Sequence, residues 1–306
     1  VQKAINNFIG KLANYYERAK YGLKNLGLVN LKAGNNALYK GDYKTAKARF
    51  KFALKRMPES ADCLYGLGHV YYGLKKYDDA IKYLDHALEI DPNHGAANYI
   101  KQMIIDPKEI KNIPVELLRD LYNAIEHDYY DQDVKLEEAL ADFLKDKEGL
   151  NILDLACGSG RIGEVIHNEG YAITGVDISS NMLERAGELN EGDNDTYLRL
   201  EEAEVTEFLN SNDKNYDIII AIGLVERNSS LQKIIQAVAK NMDSKTSFIF
   251  NYWPGDNFKF DDNFWVFSHS DEYIKKTLTK NGLKIDSIID LEDTTCLIFA
   301  SKTRKS

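Results

Sequence analysis

Three glycines, Gly158, Gly160 and Gly163, follow the apolar run NILDLA in the spacing G-x-G-x-x-G. Glycines placed between a strand and a helix let the chain turn sharply and bring backbone amides close to a polar or anionic ligand. Two carboxylates flank them. Asp154 lies inside the apolar run, four residues before Gly158, and Asp177 closes the next such run, YAITGVD. A carboxylate at a strand end can accept two hydrogen bonds from a vicinal diol. A third acidic site is the run Glu201, Glu202 and Glu204. Candidate proton acceptors are His269, His127 and Glu226, although a lone histidine is more often structural. The three cysteines, Cys63, Cys157 and Cys296, are far apart and form no CxxC pair, so the sequence offers no metal site.

These residues need a scaffold, and residues 151–253 alternate strand-like and helix-like segments. NILDLA precedes RIGEVIHNEG; YAITGVD precedes SNMLERAGELN; YLRLEE precedes VTEFLNSN; YDIIIAI precedes SLQKIIQAVAKNM; SFIFNYW follows. Such alternation predicts a parallel sheet wrapped by helices. The end differs: helix DEYIKKTLTKNG leads to LKIDSIIDL and TTCLIFAS, separated by a short link that forces an antiparallel pair.

The front of the chain is periodic. Residues 27–60 and 61–94 superpose at a shift of 34, placing Gly34 on Gly68, Tyr43 on Tyr77, Ala46 on Ala80, Ala53 on Ala87, Leu54 on Leu88 and Pro58 on Pro92. This resembles the tetratricopeptide repeat (TPR), a helix–turn–helix unit of that period. Residues 95–105 are expected to cap the array, and residues 2–26 to lead into it as helix. By repeat register Asn35, Tyr39, Tyr65, His69 and Tyr72 should line an inner groove for a protein or peptide. Residues 1–110 carry 18 Lys and Arg against 11 Asp and Glu, whereas residues 111–306 carry 21 against 37. The basic front favours an acidic partner. The acidic back argues against a nucleic-acid phosphate track there.

A G-x-G-x-x-G turn alone fits nicotinamide and S-adenosylmethionine enzymes alike. The acid four residues before the first glycine, the Asp177-ISSNMLERA continuation and the closing antiparallel strands resemble class I S-adenosylmethionine-dependent methyltransferases. YNAIEHDYYDQD, AEVTEFL and FSHSDEYIKKTLTKNGL extend the resemblance to the bacterial members that carry N-terminal TPR repeats. The implied fold is α + α/β: an all-α repeat domain at 1–110, then a Rossmann-like methyltransferase sheet with an antiparallel last strand at 111–306. The resemblance implies the cofactor S-adenosyl-L-methionine, with S-adenosyl-L-homocysteine as product. It also implies that Asp154 and the amides around Gly158, Ser159 and Gly160 meet the amino-acid tail, and that Asp177 meets the ribose. Ile178 and Met182 would pack on the adenine, and Glu204, beside Ala203 and Val205, would take its amino group, with Glu201 and Glu202 as rivals. Ile222 lies where the methyl and acceptor should meet, and Tyr129 and Tyr130 are candidate lids. Ala156 stands where the motif has its first glycine, which costs little if its φ is negative.

With 44% hydrophobic and 28% charged residues the chain is an ordinary globular protein and not a disordered one. No apolar run reaches membrane-spanning length, and the cysteine usage fits a reducing cytoplasm. The acceptor stays open between a protein and a small molecule. A scaffold whose methyltransferase-like domain does no catalysis is the alternative reading.

Overall fold

The computed structural model describes residues 25–107, 110, 112–124, 134–168, 170–190, 195–256, 259–261, 266–291 and 295–303. The expected leading helix therefore lies outside the described residues up to position 24. The chain divides into two compact units, Val1–Asp106 and Pro107–Ser306.

In the first unit α1 (Leu26–Tyr39) pairs with α2 (Tyr43–Arg56), α3 (Ala61–Gly73) pairs with α4 (Tyr77–Ile90), and α5 (Gly95–Ile105) packs on α4. The helices begin where the sequence offers caps. The Asp42 carboxylate accepts from the Thr45 amide at 3.0 Å, and the Ser60 hydroxyl from the Cys63 amide at 3.2 Å. The 34-residue period has a packing cause. A Cβ on Gly34 would lie 2.6 Å from the Phe50 ring, and one on Gly68 would lie 2.7 Å from Leu84, the residue equivalent to Phe50. Ala46, Ala53, Ala80 and Ala87 are fully buried, so the small-residue ladder marks the close helix crossings.

The second unit begins with α6 (Val115–Ala124) and α7 (Val134–Leu144). Strands β1 (Asn151–Leu155), β2 (Ala172–Asp177), β3 (Arg199–Glu202), β4 (Ile218–Ala221) and β5 (Ser247–Pro254) alternate with α8 (Arg161–Ile166), α9 (Ser180–Glu188), α10 (Val205–Ser211) and α11 (Gln232–Lys240). A hairpin of β6 (Lys259–Asp261) and β7 (Val266–His269), then α12 (Asp271–Lys280), precedes β8 (Leu283–Asp290) and β9 (Cys296–Lys302). The sheet runs β3-β2-β1-β4-β5-β9-β8, parallel through β5, with β9 antiparallel to both its neighbours. The expected reversal of the last strand is observed. The hairpin was not expected; β7 adds in parallel to the far end of β5, at Trp253 and Pro254.

Side chains alternate across the strands. Leu153, Leu155, Ile219, Phe248 and Phe250 face α10, α11 and α12, whereas Ile152, Ile173, Ile218, Ile220 and Ile249 share a core with α7 and α8. Both faces are covered, which explains why these strands read as continuous apolar runs.

Candidate functional site

Strand order reverses at β1, with β2 on one side and β4 on the other, which opens a crevice beyond the strands' carboxyl ends. After Leu155 the chain turns through Ala156–Gly160 into α8. The φ angles of Ala156, Gly158 and Gly160 are +57°, +55° and +92°, with Cys157 and Ser159 outside the left-handed region. Alternation of this kind swings successive amides to one side and forms a concavity for an anionic or polar group. A Cβ on Gly158 would meet nothing within 4 Å. The backbone there borders open space.

Ala156 corrects the sequence reading. Its φ is positive, so an L side chain occupies a conformation that costs roughly 1–2 kcal/mol, and the substitution is strained rather than harmless.

Asp177 ends β2 and is 6% exposed. Its carboxylate accepts from the Gly158 amide at 2.9 Å and the Ser179 amide at 2.8 Å, fastening the glycine turn to the second strand. Burial raises its pKa, and the amide hydrogen bonds oppose that rise. Asp154 lies one layer below, 1% exposed, and takes a 2.7 Å hydrogen bond from the Tyr197 hydroxyl. Burial lifts its pKa to about 7, against the hydrogen bond from Tyr197 and with a smaller upward contribution from Asp177.

Helix α6 lies across this end of the sheet. Asn123 accepts through Oδ1 from the Ser179 hydroxyl at 2.8 Å and the Asn181 amide at 3.2 Å, and Arg119 Nε donates to the Ile178 carbonyl at 3.2 Å. Tyr122, between them in sequence, has its pKa raised by burial, with Arg227, Glu226 and Asp177 as its charged neighbours. Sequence reasoning missed Arg119, Tyr122, Asn123 and Tyr197. The first three lie at or just before the start of the YNAIEHDYYDQD segment, which also carries the lid candidates Tyr129 and Tyr130. Those two, with His127, lie outside the described residues.

The remaining candidates divide sharply. Ser159 is half-buried in the turn, Ile178 is half-buried beyond Asp177, and Met182 is nearly buried in α9 with its sulfur 3.8 Å from Arg185 Nη1. Ile222 is half-buried just past β4 and packs on the Ile152 and Ile218 core. Ala203 donates its amide to the Asp177 carbonyl at 2.9 Å, and Val205 is buried in the core. Glu204 is the N-cap of α10: its Oε2 accepts from the Glu207 amide at 2.9 Å and its Oε1 from the Thr206 hydroxyl at 3.0 Å. Glu201 pairs with Arg199, and Glu202 is exposed at the end of β3, in register with Asp177.

Among the base candidates, His269 is fully buried and stacks on Tyr273 at 5.5 Å; burial lowers its pKa. Glu226 is 8% exposed in the 3-10 turn Val225–Arg227. In the repeat unit Tyr65 and His69 are buried, correcting their expected place on an open groove wall. The Tyr65 hydroxyl lies 3.0 Å from His69 Nδ1 and 3.4 Å from the Tyr39 hydroxyl, and the Tyr72 ring lies beside His69. Asn35, Tyr39 and Tyr72 are half-buried. Burial pushes the His69 pKa down to about 4, so this aromatic cluster holds a neutral imidazole.

Residues 146–289 match the family model of a methyltransferase domain, and residues 37–104 match that of the tetratricopeptide repeat. The ubiquinone biosynthesis O-methyltransferase of Hydrogenovibrio crunogenus is 24% identical over 153 residues, covering 47% of this chain and 59% of the relative. The protein of the same name from Rickettsia typhi is 27% identical over 113 residues, covering 37% and 42%. The chain thus spans less than two thirds of the length of these curated relatives. Among solved structures, magnesium protoporphyrin IX methyltransferase from Synechocystis PCC 6803 with bound SAH aligns with a TM-score of 0.49 at 17% identity, covering 62% of this chain and 100% of that one. The chain accordingly joins tetratricopeptide repeats, at residues 37–104, to a methyltransferase domain, at residues 146–289.

Proposed function

We propose that this chain transfers a methyl group from S-adenosyl-L-methionine to an acceptor that approaches beside the end of β4, leaving S-adenosyl-L-homocysteine. The observation that carries the reading is the turn Ala156–Gly160, whose Gly158 backbone borders space that a single Cβ would enter, fastened to a carboxylate at the neighbouring strand end. The donor set fits the group. The Ser159 amide and the open backbone at Gly158, with Asp154 below, suit an amino-acid tail, the Gly158 amide being bonded to Asp177 and the Gly160 amide to the Cys157 carbonyl at 3.0 Å. Asp177, whose oxygens can each accept a further hydrogen bond, suits a ribose diol. Ile178 suits an adenine face. Glu202, exposed at the end of β3 in register with Asp177, suits the adenine amino group, and Glu204, which also caps α10, is its rival.

When bound, the sulfonium supplies a methyl group already activated by positive charge, so the protein's share is alignment and exclusion of water. Helix α6, tied through Arg119 and Asn123 to the Ile178 carbonyl and the Ser179 hydroxyl beside Asp177, is the element placed to serve both. His269 is withdrawn as a base by its burial; Glu226, among the charged neighbours of Tyr122, is the remaining carboxylate near the end of β4. The printed names of both curated relatives favour an oxygen acceptor. The repeats supply a protein-binding surface, and the first repeat, with eight Lys and Arg against two acidic residues, favours an acidic partner. A cytoplasmic setting belongs to the same reading, since all three cysteines are free thiols.

The test incubates the chain with methyl-tritiated donor and fractionated cell extract. Label appearing in an acceptor fraction, and disappearing with Asp177→Ala, supports transfer. Absence of transfer to every fraction, with no stabilisation of the protein by donor or product, contradicts it.

A further inference from the structure

Tyr197 has no place in the sequence motifs, yet the glycine-rich turn is built around it. Its ring is 2% exposed and fills a hole left by three missing side chains. A Cβ on Gly160 would lie 3.0 Å from the ring, one on Gly175 would lie 2.8 Å from it, and one on Gly163 would clash with its hydroxyl-bearing edge. The G-x-G-x-x-G spacing is therefore spent in part on admitting a tyrosine, and only Gly158 faces open space.

The hydroxyl is placed with equal care. It donates to Asp154 Oδ2 at 2.7 Å and accepts from the Gly163 amide at 3.2 Å, linking β1 to the first turn of α8. The backbone is clamped too: Asn190 Nδ2 donates to the Tyr197 carbonyl at 2.7 Å, and the Tyr197 amide donates to Asn190 Oδ1 at 2.9 Å. Burial and the adjacent Asp154 keep the phenol protonated, so it is a permanent donor. The charged and titratable groups around Asp154 are Tyr197, Cys157 of the turn and Asp177 at the end of β2. Asp177 opposes ionisation of Asp154, and burial keeps Cys157 a neutral thiol. Tyr197 is thus the one neighbour of the three that stabilises the Asp154 carboxylate.

We infer that Tyr197 is a positioning residue of the cofactor site: its hydroxyl holds Asp154 in place and in its ionised form, so that the carboxylate can attract the ammonium of the cofactor's amino-acid tail. This rests on the reading that the crevice takes S-adenosylmethionine. It also explains how a carboxylate with almost no exposure can be an anion above about pH 7. Burial alone would leave it a neutral acid, which has no charge to offer an ammonium.

The experiment is calorimetric titration of the full chain with S-adenosylhomocysteine between pH 6 and pH 9, for wild type, Tyr197→Phe and Asp154→Asn. Wild-type affinity is expected to fall about tenfold between pH 8 and pH 6, as an acid with a value of about 7 takes up its proton. Removing a hydrogen bond to a charged group should move that fall to higher pH by about one unit in Tyr197→Phe, leaving the two proteins within about threefold at pH 9. Asp154→Asn should bind weakly and without pH dependence in this range. A carboxyl-carbon NMR titration of Asp154 in the ligand-free protein, wild type against Tyr197→Phe, gives the same shift without any cofactor.

A Tyr197→Phe protein with the wild-type pH profile, or one weakened equally at every pH, overturns the inference, the second result indicating a purely structural tyrosine. Should Tyr197→Phe not fold, Asp154→Asn decides: an unchanged wild-type pH profile in that variant overturns it. Failure of wild type to bind S-adenosylhomocysteine at any pH would instead remove the functional reading itself, and this inference with it.

Discussion

The most demanding consequence of the site's construction is the response to a single methyl group at Gly163. In Gly163→Ala the new carbon would lie far inside contact distance of the Tyr197 ring and hydroxyl. The ring cannot easily give way, because it is buried and its residue is held by hydrogen bonds at both the hydroxyl and the backbone. Overpacking a filled interior costs about 1–3 kcal/mol. Pushing the ring aside also strips the buried Asp154 of its 2.7 Å hydrogen bond, and a buried acceptor left unpaired costs about 1–3 kcal/mol more. The sum is about 4 kcal/mol. For a unit of this size that lowers the melting temperature by about 8–16 °C.

Gly158→Ala provides the contrast. Its methyl group meets nothing within 4 Å, so the cost is confined to a left-handed alanine, about 1–2 kcal/mol. The same methyl enters the crevice, so binding of S-adenosylhomocysteine should drop at least tenfold. Differential scanning calorimetry and ligand titration of the two variants separate the effects. A Gly163→Ala protein melting within 2 °C of wild type, or a Gly158→Ala protein that binds normally, would refute the assignment of one glycine to packing and the other to the ligand.

Ala156→Gly should stabilise the second unit by about 0.5–1 kcal/mol, since relief of left-handed strain exceeds the added freedom of the unfolded chain; a lowered melting temperature would contradict the strain argument. Glu204→Ala should lose about 1 kcal/mol through the α10 cap while keeping cofactor affinity, whereas Glu202→Ala should keep stability and weaken binding about fivefold or more; the reverse pattern in paired melts and titrations would restore Glu204 as the adenine ligand. The repeat unit should weaken on acidification. His69 has a folded value of about 4 against an ordinary 6.5, so the unfolded chain takes up the proton first. Stability is therefore complete above pH 6.5 and falls by about 3 kcal/mol as pH drops to 4. Denaturant unfolding at pH 7 and pH 4.5 measures this, and a His69→Gln protein should show a shallower decline.

The second unit's layers were legible because the runs of β1, β2, β4 and β5 are largely apolar and alternate with helical segments, and the two closing strands because the link between them is too short for a crossover. The β6–β7 hairpin was not: Lys259–Asp261 is three residues long, and FSHS reads equally well as a loop before α12. Asp154, Asp177 and the glycines announce themselves through spacing along the chain. Tyr197 does not, because its partners are Gly160, Gly163 and Gly175, brought to it only when β1, β2 and β3 align. The capping role of Glu204 was hidden for a related reason. Its run of acids marks a strand end, but the capping geometry that commits one of them is settled by where α10 starts. Tyr65 and His69 fell on the expected helix face, and the hydrogen bonds and ring packing among Tyr39, Tyr65, His69 and Tyr72 turned that face into an interior.

The central claim is that the crevice beside Gly158 accepts a sulfonium nucleoside and not a dinucleotide. Isothermal titration of the full chain with S-adenosylhomocysteine and, in a parallel cell, with NAD addresses it directly. The account predicts saturable one-to-one binding of S-adenosylhomocysteine, abolished in Asp177→Ala, and no heat from NAD; saturable binding of NAD with none of S-adenosylhomocysteine would contradict it.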